Sequence, residues 1–266
     1  MVSLYERLMQ GEDVPVIDMH GHVGPYAGIS LPAAGLDAMI AGMDQAGVEA
    51  IVLSPHSALD GDTREGNQEM LEAVLRYPGR VYGYVTVNPN FPDAVEPELD
   101  RYLGEPGVVG VKIHPEIHKA AADSPRYAPM WERLNAHDGL VLAHTWGQTG
   151  LCGVDTMRRI ARAYPEVRLL LGHSCYNAWE GAIALAAEHE NVYLELTAAA
   201  HAYGLIEWMC REAGADKVVY GTDYPWFAPF LYIGFVASSR IRAGEIRKIL
   251  YGNARRLLAE QGVDLA

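Results

Sequence analysis

The sequence predicts an α/β fold in which eight parallel strands alternate with helices around a closed barrel. Eight short apolar runs of strand length alternate with segments of helical spacing. The runs are almost continuously apolar, as expected for strands covered on both faces. The length of 266 residues suits a single (β/α)8 barrel, or TIM barrel, with residues 1–266 as one domain. No glycine-rich dinucleotide fingerprint follows the first run, which argues against an open sheet.

The elements are predicted in chain order from these runs. Strands are expected over residues 14–17, 50–53, 81–87, 108–113, 140–143, 168–171, 192–196 and 218–220. Helices are expected over residues 36–46, 64–76 and 127–137, each followed by a glycine that favours termination. A capping box at Ser3 and Glu6 predicts a short first helix over residues 3–11. Residues 242–260 should form a last helix that packs outside the barrel.

Composition excludes several classes of protein. Half of the residues are hydrophobic and the formal net charge is −13, so the chain should fold and should not bind nucleic acid or an anionic membrane. We find no signal-peptide pattern and no apolar run of membrane-spanning length, which predicts a cytoplasmic protein. The three cysteines form no CxxC pair, so a thiolate zinc site is not expected. A small-molecule partner and a homodimer are expected.

Ionisable residues recur where the predicted strands end. They are His20 and His22 after the first strand, Lys112 and His114 at the fourth, His144 at the fifth, His173 at the sixth and Asp223 at the eighth. In a (β/α)8 barrel these carboxyl ends surround the active site, so residues distant in sequence should converge there.

Alternation along the strands supports a metal site. Leu140, Leu142 and His144 share one face of the fifth strand, and His173 shares a face of the sixth with Leu169 and Leu171. A single strand-end histidine is more often structural than a ligand, but such residues on five strands together indicate a metal centre. Imidazole nitrogens and a carboxylate suit Zn²⁺, and also Mn²⁺ or Fe²⁺.

Six segments resemble the amidohydrolase superfamily, and more closely its amidohydrolase 2 branch, which includes decarboxylases related to aminocarboxymuconate semialdehyde decarboxylase. The segments are VIDMHGH (16–22), GVKIHP (110–115), VLAHTW (141–146), LLLGHS (169–174), VVYGTDYPW (218–226) and ILYGNARRLL (249–258). The resemblance implies a metal-dependent barrel enzyme. It also implies that one divalent ion is bound by four residues: His20, His22, His144 and Asp223. We expect this ion to be zinc, with manganese as the alternative.

The same resemblance implies that His173 polarises or orients the substrate. Some members of the superfamily hold two metals bridged by a carboxylated lysine, and Lys112 stands at about that place. In that version His144 and His173 would bind the second ion. Lys112 as a structural or substrate-binding cation explains the sequence equally well.

Other side chains on the loops after the strands should line a pocket. The candidates for substrate binding are His56, His114, Trp146, Tyr176, Tyr224 and Trp226. His118 lies at a predicted helix edge and is expected at the surface. Glu195, if it points inward from the seventh strand, would need a buried partner.

The expected activity is hydrolysis of an amide, ester or lactone. A metal lowers the pKa of bound water towards about 7, and Asp223 would accept its proton while His173 stabilises the oxyanion. The alternative is a lyase, a decarboxylase or hydratase, that acts on a small carboxylate. Few cations are available to bind a carboxylate, which favours hydrolysis: Arg64, Lys112, Lys119 and Arg126. A barrel that only binds a ligand would lack some of these ligand residues, and none is missing.

Overall fold

Eight parallel strands form one sheet in chain order in the computed structural model, which describes residues 14–265. The strands are β1 (Ile17–Gly21), β2 (Ala50–Leu53), β3 (Val81–Thr86), β4 (Val108–Ile113), β5 (Leu140–Trp146), β6 (Arg168–Tyr176), β7 (Val192–Glu195) and β8 (Val218–Val219). The predicted helix over residues 3–11 lies outside the described residues.

Backbone hydrogen bonds close the sheet between its first and last strands. Met19 N–H donates to the Tyr220 carbonyl over 3.0 Å, and His22 N–H to the Tyr224 carbonyl over 2.7 Å. Asp223 N–H donates to the His20 carbonyl over 2.7 Å. The prediction of a (β/α)8 barrel is therefore confirmed, and this closure places His20, His22 and Asp223 side by side.

Twelve helices among the described residues connect or cover the strands. They are α1 (Leu36–Ala46), α2 (His56–Asp60), α3 (Thr63–Arg76), α4 (Pro92–Tyr102), α5 (Pro115–His118), α6 (Ala128–Asn135), α7 (Val154–Ala163), α8 (Trp179–Glu188), α9 (Leu205–Glu212), α10 (Pro229–Ser238), α11 (Ala243–Arg247) and α12 (Asn253–Glu260). Gly47 ends α1 with a φ of 71°, and Asp62 caps α3 by accepting the Arg64 N–H. None of these helices is long and apolar enough to cross a bilayer.

The C-terminal helix packs differently from its prediction. Leu257 and Leu258 of α12 belong to the same buried cluster as the barrel's interior residues, among them Leu140. Gln261, just beyond α12, donates to the Asp138 carbonyl over 3.0 Å, next to the start of β5. The helix therefore covers the floor of the barrel, and a single-turn π-helix at residues 248–252 separates it from α11.

The first and sixth strands also differ from prediction. β1 starts at Ile17 and includes His20, and Asp18 in this strand accepts hydrogen bonds from the hydroxyl and N–H of Thr222, just after β8. In β6, Leu170 packs inside the barrel with Leu142, and the neighbouring leucines pack outward. His173 therefore does not continue an inward column, and the alternation argument for it was wrong.

His118 is buried rather than at the surface. Its Nε2 lies 3.1 Å from the Leu59 carbonyl and its Nδ1 lies 3.3 Å from the Tyr127 hydroxyl. Burial lowers the pKa of His118 to about 4, against the opposing effect of the Leu59 carbonyl. The burial of His118 could not be inferred from its position at a predicted helix edge. It depends on the packing of α5 against α2, which only the tertiary structure shows.

We expect His118 to make the protein less stable as the pH falls from 6.5 towards 4. Its pKa is lower in the folded state than in the unfolded chain, so the unfolded state binds more protons and is stabilised relative to the folded state on acidification. A shift of this size corresponds to about 3 kcal/mol. Urea titrations at several pH values measure this, and His118→Gln should flatten the dependence. The exposed His137→Gln is the control, and an unchanged slope in His118→Gln would contradict the expectation.

Candidate active site

A cavity of about 260 Å³ opens at the carboxyl ends of the strands. It is lined by His20, His22, Tyr26, His56, Leu59, Lys112, His114, Ile117, His144, Trp146, His173, Ala198, Asp223, Trp226 and Phe227. Predicted site residues from all five strand ends therefore meet here. Five further lining residues were missed, because no motif includes them: Tyr26, Leu59, Ile117, Ala198 and Phe227.

The centre of the cavity is a carboxylate between two imidazoles. Asp223 Oδ1 lies 3.2 Å from His20 Nε2 and 2.9 Å from His22 Nε2. Burial acts to raise the pKa of Asp223, but His20 and His22 outweigh it and hold this pKa well below its usual range. Burial and the nearby Lys112 hold the pKa of His20 well below 6.5, so its imidazole is neutral at neutral pH.

The opposite nitrogens of both rings are engaged by acceptors. His20 Nδ1 lies 3.0 Å from a carboxylate oxygen of Glu195, and His22 Nδ1 lies 2.9 Å from the Ser54 carbonyl. Each of these acceptors places a proton on Nδ1, which leaves Nε2 of each ring, facing Asp223, as the nitrogen available to a metal. Two imidazole nitrogens and a carboxylate oxygen that lie together are donors that a divalent metal prefers, so these residues fit such an ion.

His173 joins this group through an irregular backbone conformation within β6. One ligand atom each from His20, His173 and Asp223 lie within 4.8 Å of one another. The backbone of His173 is left-handed, with φ of 67°, and Ser174 and Cys175 follow with 47° and 51°. This conformation turns the ring into the cavity. Its Nδ1 is buried without a hydrogen-bond partner among the described residues, which leaves it free for a metal or substrate.

His144 lies beside this group rather than in it. Its Nε2 is 3.3 Å from an oxygen of Glu116, and its ring stacks on His114 at 3.8 Å between centroids. Trp146 continues this stack with its ring nearly parallel to that of His144. Whether His144 is a metal ligand stays a prediction. Glu116 was missed by sequence analysis, although it directly follows the His114–Pro115 pair.

The ammonium group of Lys112 is the source of positive charge in the cavity. It is fully buried, and its Nζ donates to His20 Nε2 over 2.8 Å. Burial lowers the pKa of Lys112 to about 8, while Asp223 and Glu195 act to raise it. Among the described residues that line the cavity, it is the one lysine or arginine. The Arg64 and Arg126 candidates, and Lys119, do not line it.

His56 has both ring nitrogens engaged by the protein. Its Nδ1 donates to the Gly24 carbonyl over 2.8 Å, and its Nε2 accepts from the Trp226 indole N–H over 2.9 Å. Burial and the neighbouring His22 lower the pKa of His56 to about 4. It is therefore a neutral side chain that anchors Trp226 on the cavity wall, and it is poorly placed to exchange protons with a substrate.

Of the remaining aromatic candidates, two line the cavity and two pack behind its lining residues. Trp146 and Trp226 line the cavity. Tyr176 stacks behind Trp146 at 4.2 Å between ring centroids and does not line the cavity. Tyr224 is buried against α1, where a Cβ on Gly42 would lie 2.2 Å from its hydroxyl.

Comparison with known proteins identifies relatives of the whole barrel. The family model described as amidohydrolase matches residues 17–259. A curated gamma-resorcylate decarboxylase from a Polaromonas species is 24% identical over 277 residues, covering 84% of this chain and 83% of the relative. The structure of 5-carboxyvanillate decarboxylase from Sphingomonas paucimobilis has a TM-score of 0.74 at 15% identity, covering 92% of this chain and 99% of that chain.

A second solved structure contains a metal. The dihydroxybenzoic acid decarboxylase from a Polaromonas species, with bound manganese and the inhibitor 2-nitroresorcinol, has a TM-score of 0.74 at 19% identity. The match covers 92% of this chain and 97% of that chain.

These relatives correct the expected reaction. Three further curated relatives, at 23% or 24% identity, are also gamma-resorcylate decarboxylases. The expectation of a hydrolase was therefore wrong, and the lyase alternative is better supported. Hydrolysis was favoured because few cations near the strand ends were visible in the sequence, and the cavity contains one of them, the buried Lys112. Zinc is not confirmed, since the relative's structure contains manganese.

Proposed function

The chain belongs to the amidohydrolase family, and on that premise we propose that it is a metal-dependent decarboxylase of small hydroxylated aromatic carboxylates. The observation that carries this proposal is the convergence of two imidazole nitrogens and a carboxylate oxygen beside the buried ammonium of Lys112, in a cavity with aromatic walls. A volume of about 260 Å³ suits one substituted ring. The relatives named for dihydroxybenzoate and 5-carboxyvanillate act on molecules of this class.

We propose that His20, His22 and Asp223 hold one divalent ion, manganese or zinc. When bound, the ion would supply positive charge that attracts the substrate's carboxylate and adjacent phenolic oxygen. His173 has the geometry to complete the ligand set, whereas the family resemblance implies His144. Manganese affinities of His173→Asn and His144→Asn separate these two, because loss of the true ligand weakens binding more. Two equivalents of metal, with a modified Lys112, would contradict the single-ion site.

In the proposed decarboxylation, each side chain of the cavity has a separate role. Lys112 pairs with the substrate carboxylate, since an ammonium is left facing the cavity once His20 Nε2 serves as a ligand. Trp146 and Trp226 exclude water from the ring. Asp223, whose low pKa keeps it ionised in the free site, first accepts a solvent-derived proton and then delivers it to the ring carbon that bears the carboxylate. The bond from that carbon to the carboxylate then breaks, its electron pair stays with the ring, and carbon dioxide leaves.

Turnover in isotopically labelled water should distinguish decarboxylation from hydrolysis. With manganese-loaded protein and 2,6-dihydroxybenzoate or 5-carboxyvanillate in D₂O, we expect one deuterium at the vacated ring carbon and one carbon dioxide per product. In H₂¹⁸O the aromatic product should gain no solvent oxygen. Mass spectrometry and NMR measure both, with chelator-treated protein as the control. Solvent oxygen in the organic product, or no carbon dioxide from any hydroxylated aromatic carboxylate, would refute the proposal.

A further inference from the structure

Glu195 is a fully buried carboxylate at the end of β7 that touches two elements of the site. Its Oε2 lies 3.0 Å from His20 Nδ1 and accepts the His173 backbone N–H over 2.9 Å. One oxygen atom therefore contacts both the first and the sixth strand. This is the buried partner that an inward-facing Glu195 requires.

The second carboxylate oxygen is also fully used. Glu195 Oε1 accepts the Thr197 backbone N–H and the Thr197 hydroxyl, each over 2.6 Å. A backbone N–H therefore points at each oxygen. A glutamine would turn its amide N–H towards one of these backbone N–H groups, whereas a carboxylate has a lone pair for each of the four donors.

The segment that follows β8 leaves space for this carboxylate at Gly221. A Cβ on Gly221 would lie 2.2 Å from Glu195 Oε1 and 2.8 Å from its Cδ. Gly221 has no positive φ, so the constraint is the carboxylate rather than the backbone conformation. The glycine of the GTD sequence before Asp223 is therefore explained by the position of Glu195.

We propose that Glu195 is a positioning residue that fixes the Nδ1–H tautomer of His20 and the left-handed backbone at His173. The Nε2 lone pair of His20 then faces Asp223, and the His173 ring is held in the cavity. A carboxylate that accepts the distal N–H of a ligating histidine also raises the basicity of that histidine. Because this role presupposes the proposed metal site but no particular substrate, it is tested by metal binding and spectroscopy, and decarboxylation is measured separately.

Histidine NMR on the metal-free wild-type protein gives the first test. With ¹⁵N-labelled histidine, we expect the His20 ring to be the Nδ1–H tautomer, with its proton shifted downfield by the carboxylate. Its signal is assigned by its loss in His20→Asn. An Nε2–H tautomer, or a His20 ring that exchanges between tautomers, would overturn the proposal without any Glu195 variant.

Manganese affinity, followed by the EPR signal of free Mn²⁺, gives the second test. We expect Glu195→Gln and Gly221→Ala to weaken binding about 10-fold to 100-fold, the usual effect of losing such a partner. Glu98→Gln is the matched control, because Glu98 is also buried but pairs with Asn67 away from the site. Folded variants that bind Mn²⁺ within about twofold of the wild type would overturn the proposal, and if neither variant folds, the wild-type NMR result decides.

Discussion

Replacing Asp223 with asparagine is expected to lower the kcat of decarboxylation about 10²-fold to 10⁴-fold, the range for losing a general acid or base. Asparagine keeps an oxygen that can face His20 and His22 at the position of Oδ1. It cannot carry a proton to the substrate. Manganese content should therefore fall modestly while kcat falls steeply. Steady-state release of carbon dioxide and elemental analysis of the same samples measure the two effects.

The control for Asp223→Asn is Asp216→Asn, which changes an exposed carboxylate that pairs with Lys248. It should leave both kcat and metal content unchanged. Near-normal kcat in metal-loaded Asp223→Asn would assign proton delivery to another group, with His173 the nearest candidate. Complete loss of metal would instead make Asp223 chiefly a ligand, and the decrease in kcat would then carry no information about proton transfer.

The barrel and the residues at its carboxyl face could be predicted from the sequence because both depend on local patterns. Eight apolar runs with helices between them identify the fold, and the order of strands in a (β/α)8 barrel brings their ends together without knowledge of contacts. The approach of His20, His22 and Asp223 follows from this topology. Lys112 was placed at the site for the same reason.

The orientation of individual side chains could not be predicted, because it depends on contacts between distant residues. His173 faces the cavity through a left-handed turn that the Glu195 carboxylate stabilises from the next strand. Strict alternation along β6 would place the His173 ring on the same face as Leu169 and Leu171. Both leucines pack outward, so this rule alone would direct the ring away from the cavity. The tautomers of His20 and His22 depend likewise on acceptors from β7 and β2.

Replacing Lys112 with methionine is expected to lower kcat/KM for carboxylated substrates about 10-fold to 100-fold. A hydrogen bond to a charged group contributes about 1.5–3 kcal/mol, and each 1.4 kcal/mol is a factor of ten. Most of the change should appear in KM, since the ammonium binds the carboxylate before the bond breaks. Methionine fills a similar volume but leaves the buried carboxylates of Asp223 and Glu195 without this cation, so the free energy of unfolding should also fall. Initial rates and urea unfolding measure these quantities.

Resorcinol separates carboxylate binding by Lys112 from a purely structural role. It lacks the carboxylate but keeps the ring and hydroxyls, so its inhibition constant should be unchanged in Lys112→Met if the ammonium contacts only the carboxylate. The exposed Lys248→Met is the control for loss of a surface charge and should affect neither constant. Equal weakening of resorcinol and substrate would mean that Lys112 maintains the shape of the cavity through His20. Unchanged kcat/KM would exclude it from carboxylate recognition, and the carboxylate would then have to be bound by the metal alone.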